Sequence, residues 1–302
     1  MLSICIPVFN YDVRELVSQL HEQAQVELQD FEIILMDDAS QEKYRKLNQE
    51  CSQFAHVKLI ELEKNVGRSH IRNLLAKEAV FSQIIFMDCD SLCPDYQYIQ
   101  RYSTYLEKEG VVCGGRIYND IAPSDDTLLH WTFGNKREAI PAKKRNKKPN
   151  KSFMTNNFLI SKSVFEKVKF NDQINSYGHE DTLFGFELLK HEITIHHIDN
   201  PLIHKDLQPT AVFIKKTETA IGNLIKIYQI TGYNPTLKKS VKLLNTWSIL
   251  KKLRLTSLCR FLFQYLRKPI FSNISGENPS LFLLDFYKLG IICSIPDSIN
   301  RY

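Results

Sequence analysis

The sequence predicts an α/β fold in which helices cover both faces of a mostly parallel sheet. Two observations predict it. Apolar runs of strand length alternate with amphipathic stretches through the first 120 residues. Two of these runs end in paired carboxylates, Asp37-Asp38 and Asp88-Cys89-Asp90. Acids there lie at the carboxyl edge of the sheet, where open α/β folds bind ligands.

Taken in order, the first strand starts at Leu2, with Leu2-Ser3-Ile4-Cys5-Ile6 stopped by Pro7 within the segment Leu2 to Val8. Arg14 to Gln25 has helical spacing, with Leu16, Val17 and Leu20 on one stripe. Phe31 to Met36 and Val57 to Leu62 are the next two strands. Ser69 has the chemistry of an N-cap for a helix that turns Ile71, Leu74, Leu75 and Ala79 inward. Gln83 to Met87 is a fourth strand, with the apolar run Ile84 to Met87, and Val111 to Tyr118 a fifth, carrying Gly114-Gly115. If the chain stays extended past Met87, Asp88 and Asp90 point to the same side and Cys89 away from them. Residues 134–151 hold eight Lys or Arg and one Glu, and read as an exposed loop with Lys143, Lys144, Arg145, Lys147 and Lys148 at its tip. A strand from Asn157 to Ile160, helices, and a strand from Ile193 to Ile198 lead to His204. From about residue 211 the pattern is helical. The expected division is a catalytic domain over 1–210 and a basic, mainly helical region over 211–302.

Composition bounds the function. From Lys215 to Tyr302 there are 14 Lys+Arg and 4 Asp+Glu, a net of +10, against +5 for the whole chain. The C-terminal third is therefore the anion-facing part. Seven Cys with no CxxC point to reduced thiols. The first strand begins at Leu2, so no leader is expected, and no apolar stretch is long enough to span a bilayer. A cytoplasmic protein is expected. No G-x-G-x-x-G follows the first strand, which argues against a dinucleotide-dependent oxidoreductase, and no nucleic-acid-binding role is expected.

Five segments carry the chemistry: Pro7-Val8-Phe9-Asn10, Asp37-Asp38-Ala39-Ser40, Asn65 to Asn73 with Gly67, Arg68 and Arg72, Asp88-Cys89-Asp90, and Glu180-Asp181. In order and spacing they resemble the family 2 glycosyltransferases of GT-A fold over residues 1 to about 205. The resemblance implies a three-layer α/β/α sandwich with a C-terminal helical extension. It implies transfer of a sugar, with inversion, from a nucleotide-diphosphate sugar to a glycan or lipid-linked hydroxyl, in cell-surface polysaccharide synthesis.

The resemblance also assigns roles. Asp38 would accept from the base, with uridine the preferred nucleotide. Pro7, Phe9 and Asn10 would wall its slot, and Gly67, Arg68 and Arg72 would meet the base or diphosphate. Asp88 would take the ribose, and Asp90, with His204, a Mn²⁺ or Mg²⁺ ion. Asp181 of the Glu180-Asp181 pair would be the base, and Asn157 would frame the donor sugar. Ala39 departs from the pattern, where Gly is common. The basic C-terminal helices would rest on an anionic membrane surface, placing the protein at the inner face of the plasma membrane.

Plainer readings of the same residues remain: Arg68 and Arg72 in a surface ladder with Glu63 or Glu78, Asp181 as a helix cap, His204 as a structural histidine. Two other classes share some features. A haloacid-dehalogenase-like phosphohydrolase also has D-x-D after an apolar strand, but on its first strand. A non-catalytic nucleotide-sugar or glycan-binding protein would show no donor hydrolysis.

Overall fold

The computed structural model describes residues 1–121, 124–174 and 176–296. The chain divides into two compact units. The first comprises Met1–Asn119, Arg137–Asn175 and Glu180–Asp206; the second comprises Asp120–Lys136, Ser176–His179 and Leu207–Tyr302. Two segments that precede residue 210 thus join the C-terminal helices.

The first unit is built on β1 (Leu2–Val8), β2 (Phe31–Asp37), β3 (Val57–Glu61), β4 (Gln83–Met87), β5 (Ser91–Leu92), β6 (Val111–Cys113), β7 (Arg116–Ile117), β8 (Asn157–Ser161), β9 (Ile195–His197) and β10 (Leu202–His204). Seven of these form one sheet in the order β3-β2-β1-β4-β8-β6-β9, and β5-β10-β7 form a second, small sheet. In the large sheet only β8 runs against its neighbours. Strand order reverses between β1 and β4, so the carboxyl ends of those two strands flank the crevice where such sheets take ligands.

The apolar runs are strands because both faces of the sheet are covered. Along β4, Ile85 and Met87 join Leu2, Ile4, Leu16 and Leu20 on one side. Ile84 and Phe86 join Ile34, Ile71, Leu75, Phe158 and Phe184 on the other. Each such side chain contributes about 1.5–3 kcal/mol on burial. Six of the seven cysteines are buried and all seven are free thiols, consistent with use as small hydrophobes.

Three local expectations change. The fifth strand is two short ones in different sheets, β6 and β7, parted at Gly114-Gly115. A Cβ at Gly114 would lie 2.3 Å from the Asn200 carbonyl, and Gly115 has φ +95 with the Arg145 guanidinium against it, so the chain can turn there only with glycine. The helix expected from Ser69 runs Arg68–Glu78 with Gly67 (φ 84) at its N-cap, and Ser69 is buried inside its first turn.

The third change concerns the basic run. Lys143, Lys144, Lys147 and Lys148 are exposed, but Arg145 is buried. Its guanidinium donates to the carbonyls of Ile140, Cys113, Gly114 and Ile198 at 2.8–3.1 Å and to His197 Nδ1 at 2.7 Å. His197 in turn meets the Pro149 carbonyl through Nε2. Burial, with Arg145 adding to it, holds His197 down at about 4, so the ring is neutral at pH 7 and Nδ1 can accept. Arg145→Ala should remove the donor to the Ile140 and Ile198 carbonyls, at about 1–3 kcal/mol each, while the Cys113 and Gly114 carbonyls keep the Ile198 and Asn200 amides. A chemical-denaturation midpoint that does not fall would show that the cation is dispensable.

The second unit holds the helices Leu128–Phe133, Thr210–Ile230, Pro235–Ser240, Lys242–Lys252, Thr256–Ile274 and Leu281–Ser294, of which the first two and the last two share a core that includes Leu129, Ile214, Phe263, Ile270, Leu284 and Tyr287. Gly290 lets the Phe263 ring lie against its backbone, where a Cβ would approach to 2.1 Å.

Candidate active site

At the end of β1, Asn10 takes a left-handed conformation (φ 52). Its Oδ1 accepts from Gln41 N at 2.8 Å, while its own N–H donates to Ser40 Oγ. Asn10 thus ties the end of β1 to the turn after β2. Within that turn Ala39 has φ 61, a conformation in which glycine is less strained. Phe9 is half exposed, and so presents an apolar face beside the β1–β4 crevice. Pro7 lies within β1.

Asp37 and Asp38 are both buried. Asp37 Oδ1 accepts from Ser40 N, closing the turn. Asp38 accepts from Val66 N at 2.6 Å and Gly67 N at 3.1 Å, which positions the start of the Arg68–Glu78 helix. Burial pushes the Asp38 carboxyl up, and the two amides offset that only partly. The two arginines of that helix separate. Arg72 is only 1 % exposed and donates to Asp88 Oδ1 at 2.8 Å and to the Arg68 carbonyl. Arg68 is half exposed, 3.6 Å from Glu180 Oε1. Glu78 meets Lys58.

Asp88-Cys89-Asp90 is not extended. The chain leaves β4 at Met87 and turns through Cys89 and Asp90, so the alternation expected of a strand does not hold and the two acids meet different partners. Asp88 lies between two arginines, Arg72 on Oδ1 and Arg116 Nη2 on Oδ2 at 3.3 Å. Asp90 Oδ1 faces His204 Nδ1 at 3.3 Å. The two sequences meet because β5, just after Asp90, pairs antiparallel with β10, with His204 opposite Ser91.

Asp90 Oδ1 is buried and accepts no aligned hydrogen bond among the described residues, although His204 Nδ1 lies 3.3 Å away. Burial pushes Asp90 up, but His204, then Arg116 and Arg68, draw it below the usual carboxylate range. An ionised, buried carboxylate oxygen beside an imidazole nitrogen fits two positions around a small divalent cation that takes its remaining ligands from water and substrate. Among the described residues no group of three or more His, Cys, Asp or Glu could hold a metal by itself.

Three residues not singled out from the sequence complete the site. Arg116 Nη1 donates to Glu138 Oε2 at 3.1 Å. The Tyr118 hydroxyl also donates to Glu138 Oε2, and the Tyr118 ring packs edge-on against His204. The position of Arg116 just past Gly114-Gly115, and Glu138 as the single acid among eight bases, were the available signals.

Glu180 and Asp181 open the Glu180–Lys190 helix, with Asp181 inside its first turn and not at a cap. Asp181 Oδ1 accepts from Thr182 N at 2.6 Å and Thr182 Oγ1 at 3.3 Å. Even so, burial, with Glu180 and Glu138 adding like charge, pushes Asp181 up to about 7. A carboxylate poised there is suited to take a proton at neutral pH.

Asn157 is placed differently from expectation. It is fully buried in β8. Its Oδ1 accepts from the Tyr98 and Tyr102 hydroxyls, and its Nδ2 donates to the Gly115 and Asn200 carbonyls, all at 2.8–2.9 Å. With its amide used up, it supports the Gly114-Gly115 turn and has nothing left for a donor sugar. Asn156 is buried too, and its carbonyl accepts from Asp88 N.

A family model described as Glycosyl transferase family 2 matches residues 3–169. The teichoic acid poly(glycerol phosphate) polymerase of Staphylococcus epidermidis is 22% identical over 198 residues, which is 63% of this chain and 26% of that protein. The chain therefore spans about a quarter of the curated relative it matches. Among solved structures, S. aureus TarS superposes with a TM-score of 0.51 at 16% identity, over 74% of this chain and 39% of that one. The 1–349 portion of TarS in complex with UDP-GlcNAc gives 0.54 at 14%, over 95% and 89%. The mannosyltransferase PcManGT from Pyrobaculum calidifontis, in complex with GDP-Man and Mn²⁺, gives 0.56 at 11%, over 96% and 86%. At these identities the structural likenesses speak for the fold.

Proposed function

The chain belongs to glycosyl transferase family 2 and has the GT-A fold, and from that premise we propose that it transfers a sugar, with inversion, from a UDP-sugar to a hydroxyl of an anionic cell-surface polymer. The observation that carries the reading is the convergence at the β1–β4 crevice. The Tyr118 ring joins the Asp90–His204 pair to the Asp88–Arg116–Glu138 network, Arg68 reaches Glu180, and the like charge of Glu138 acts on Asp181.

In this reading Phe9 and the Asp38 turn receive the base, Asp88 the ribose, and Arg68 the diphosphate. Arg72 and Arg116 hold Asp88 in place. Asp181 takes the proton of the acceptor hydroxyl as that oxygen bonds to the anomeric carbon. The bond from that carbon to the diphosphate oxygen breaks, and its electron pair leaves with the nucleoside diphosphate. Asp90 and His204 would hold Mn²⁺ or Mg²⁺, which when bound stabilises negative charge on that leaving group.

Support for a phosphate-rich acceptor comes from the exposed Lys143, Lys144, Lys147 and Lys148 and from the staphylococcal relative, a teichoic acid poly(glycerol phosphate) polymerase. The protein would act in the cytoplasm at a lipid-linked acceptor, with its basic C-terminal region, over 211–302, toward the membrane.

The test is a thermal-shift series with UDP, GDP and their sugars, with and without Mn²⁺, followed by donor hydrolysis. A metal-dependent shift for UDP-sugars is expected, lost in Asp90→Ala together with turnover. No shift with any nucleotide would remove the reading.

A further inference from the structure

We propose that the outward face of the Thr256–Ile274 helix is a membrane-docking surface that lies on an anionic lipid bilayer. This deepens the membrane-proximal reading above by naming the element responsible.

A helix of a globular protein needs one apolar stripe, and this one has two. Cys259, Phe263, Ile270 and Ile274 are buried. Leu258, Phe261, Leu262, Tyr265 and Leu266 recur at i, i+3, i+4, i+7 and i+8, the spacing of a second continuous face. All five are exposed, Phe261 at 66% and Tyr265 at 80%. Just before the helix, Leu253 and Leu255 are exposed as well. A contiguous apolar face of this size on a soluble protein marks an interaction site.

Charge identifies the occupant. From residue 219 to 276 there are ten Lys or Arg and no Asp or Glu. Lys252, Arg254, Arg260 and Lys268 are exposed around the apolar face. A second copy seated on this face would bring bases against bases with no acids to offset them, which disfavours a symmetric dimer. An anionic bilayer offers hydrocarbon for the Leu and Phe side chains, an interfacial layer suited to Tyr265, and headgroup charge for the bases. No helix among the described residues is long and apolar enough to cross a membrane. The geometry therefore fits a helix lying in the interface plane.

The experiment uses the full chain and vesicles of equal parts phosphatidylglycerol and phosphatidylcholine, against phosphatidylcholine alone. It compares the wild type with Phe261→Ser/Leu262→Ser/Tyr265→Ser, whose positions are exposed, and with Arg260→Gln/Lys268→Gln. Co-sedimentation with the anionic vesicles is expected for the wild type. It should fall by about tenfold or more in the triple variant and weaken between about 0.1 M and about 1 M salt. Three results would overturn the proposal: no vesicle binding by wild-type protein, equal binding by the triple variant, or self-association that the triple variant abolishes. Hydrolysis of a UDP-sugar by the same preparations is expected to be unchanged in the triple variant, so the docking surface and the proposed activity fail separately.

Discussion

Asp181→Asn should lower sugar transfer by about a hundredfold or more while leaving UDP binding intact. A positioned general base contributes about 10²–10⁴ to a proton-transfer step, and the amide keeps the shape while losing the basicity. The wild-type pH profile carries a second signature. Burial first, then the like charges of Glu180 and Glu138, set Asp181 at about 7 against an ordinary 3.8, with the Thr182 donors opposing them. Below about pH 7 Asp181 is protonated and cannot accept, so kcat/KM should fall about tenfold per pH unit on the acid side.

Stability follows the opposite course. The folded protein holds the Asp181 proton to higher pH than the unfolded chain does. Ionisation of this group therefore destabilises the fold as pH rises from about 4 through about 7. Asp181→Asn removes that burden and should melt at a higher temperature than wild type at pH 8, with little difference at pH 4. An Asp181→Asn enzyme with wild-type transfer would remove Asp181 from the chemistry.

The parts of this site legible in the sequence are those that one strand end can encode. Continuous apolar runs marked β1, β2 and β4 because each is buried on both faces, and the acids beyond β2 and β4 fell where the chain leaves the sheet. Pairings between distant segments were not legible. Strands β5, β7 and β10 have two or three residues each, too few to show a period, yet β5 and β10 bring Asp90 to His204. Arg145 sits in a lysine-rich run whose composition implies solvation; four acceptors from other segments draw it inside. Asn157 has the chemistry of a ligand-binding amide, but two tyrosines and two carbonyls occupy it first. Asp88 and Asp90 were expected to act from one extended face, and the turn at Cys89 sends them to separate partners.

Arg116 is where the unread part of the site should show its largest energetic effect. One guanidinium serves two partly buried acids through two different nitrogens, Nη2 to Asp88 and Nη1 to Glu138. Burial works against the cation, but Tyr118, Glu138, Asp88 and Asp90 hold it charged. Arg116→Met keeps much of the volume and removes both contacts. Asp88 would retain Arg72, and Glu138 the Tyr118 hydroxyl. Breaking a fully buried ion pair from one side costs about 3–5 kcal/mol; these groups keep some solvent contact, so the denaturation midpoint should drop by less than that full cost, and transfer should be lost. Arg116→Lys separates charge from geometry. A single ammonium keeps the positive charge but cannot fork to both acids, so it should recover part of the stability. In that variant KM for the donor should rise more than kcat falls, because what loosens is the support of Asp88 and not the base. If the Met variant instead unfolds at the wild-type midpoint, the Asp88–Arg116–Glu138 network is not what holds this edge of the sheet together.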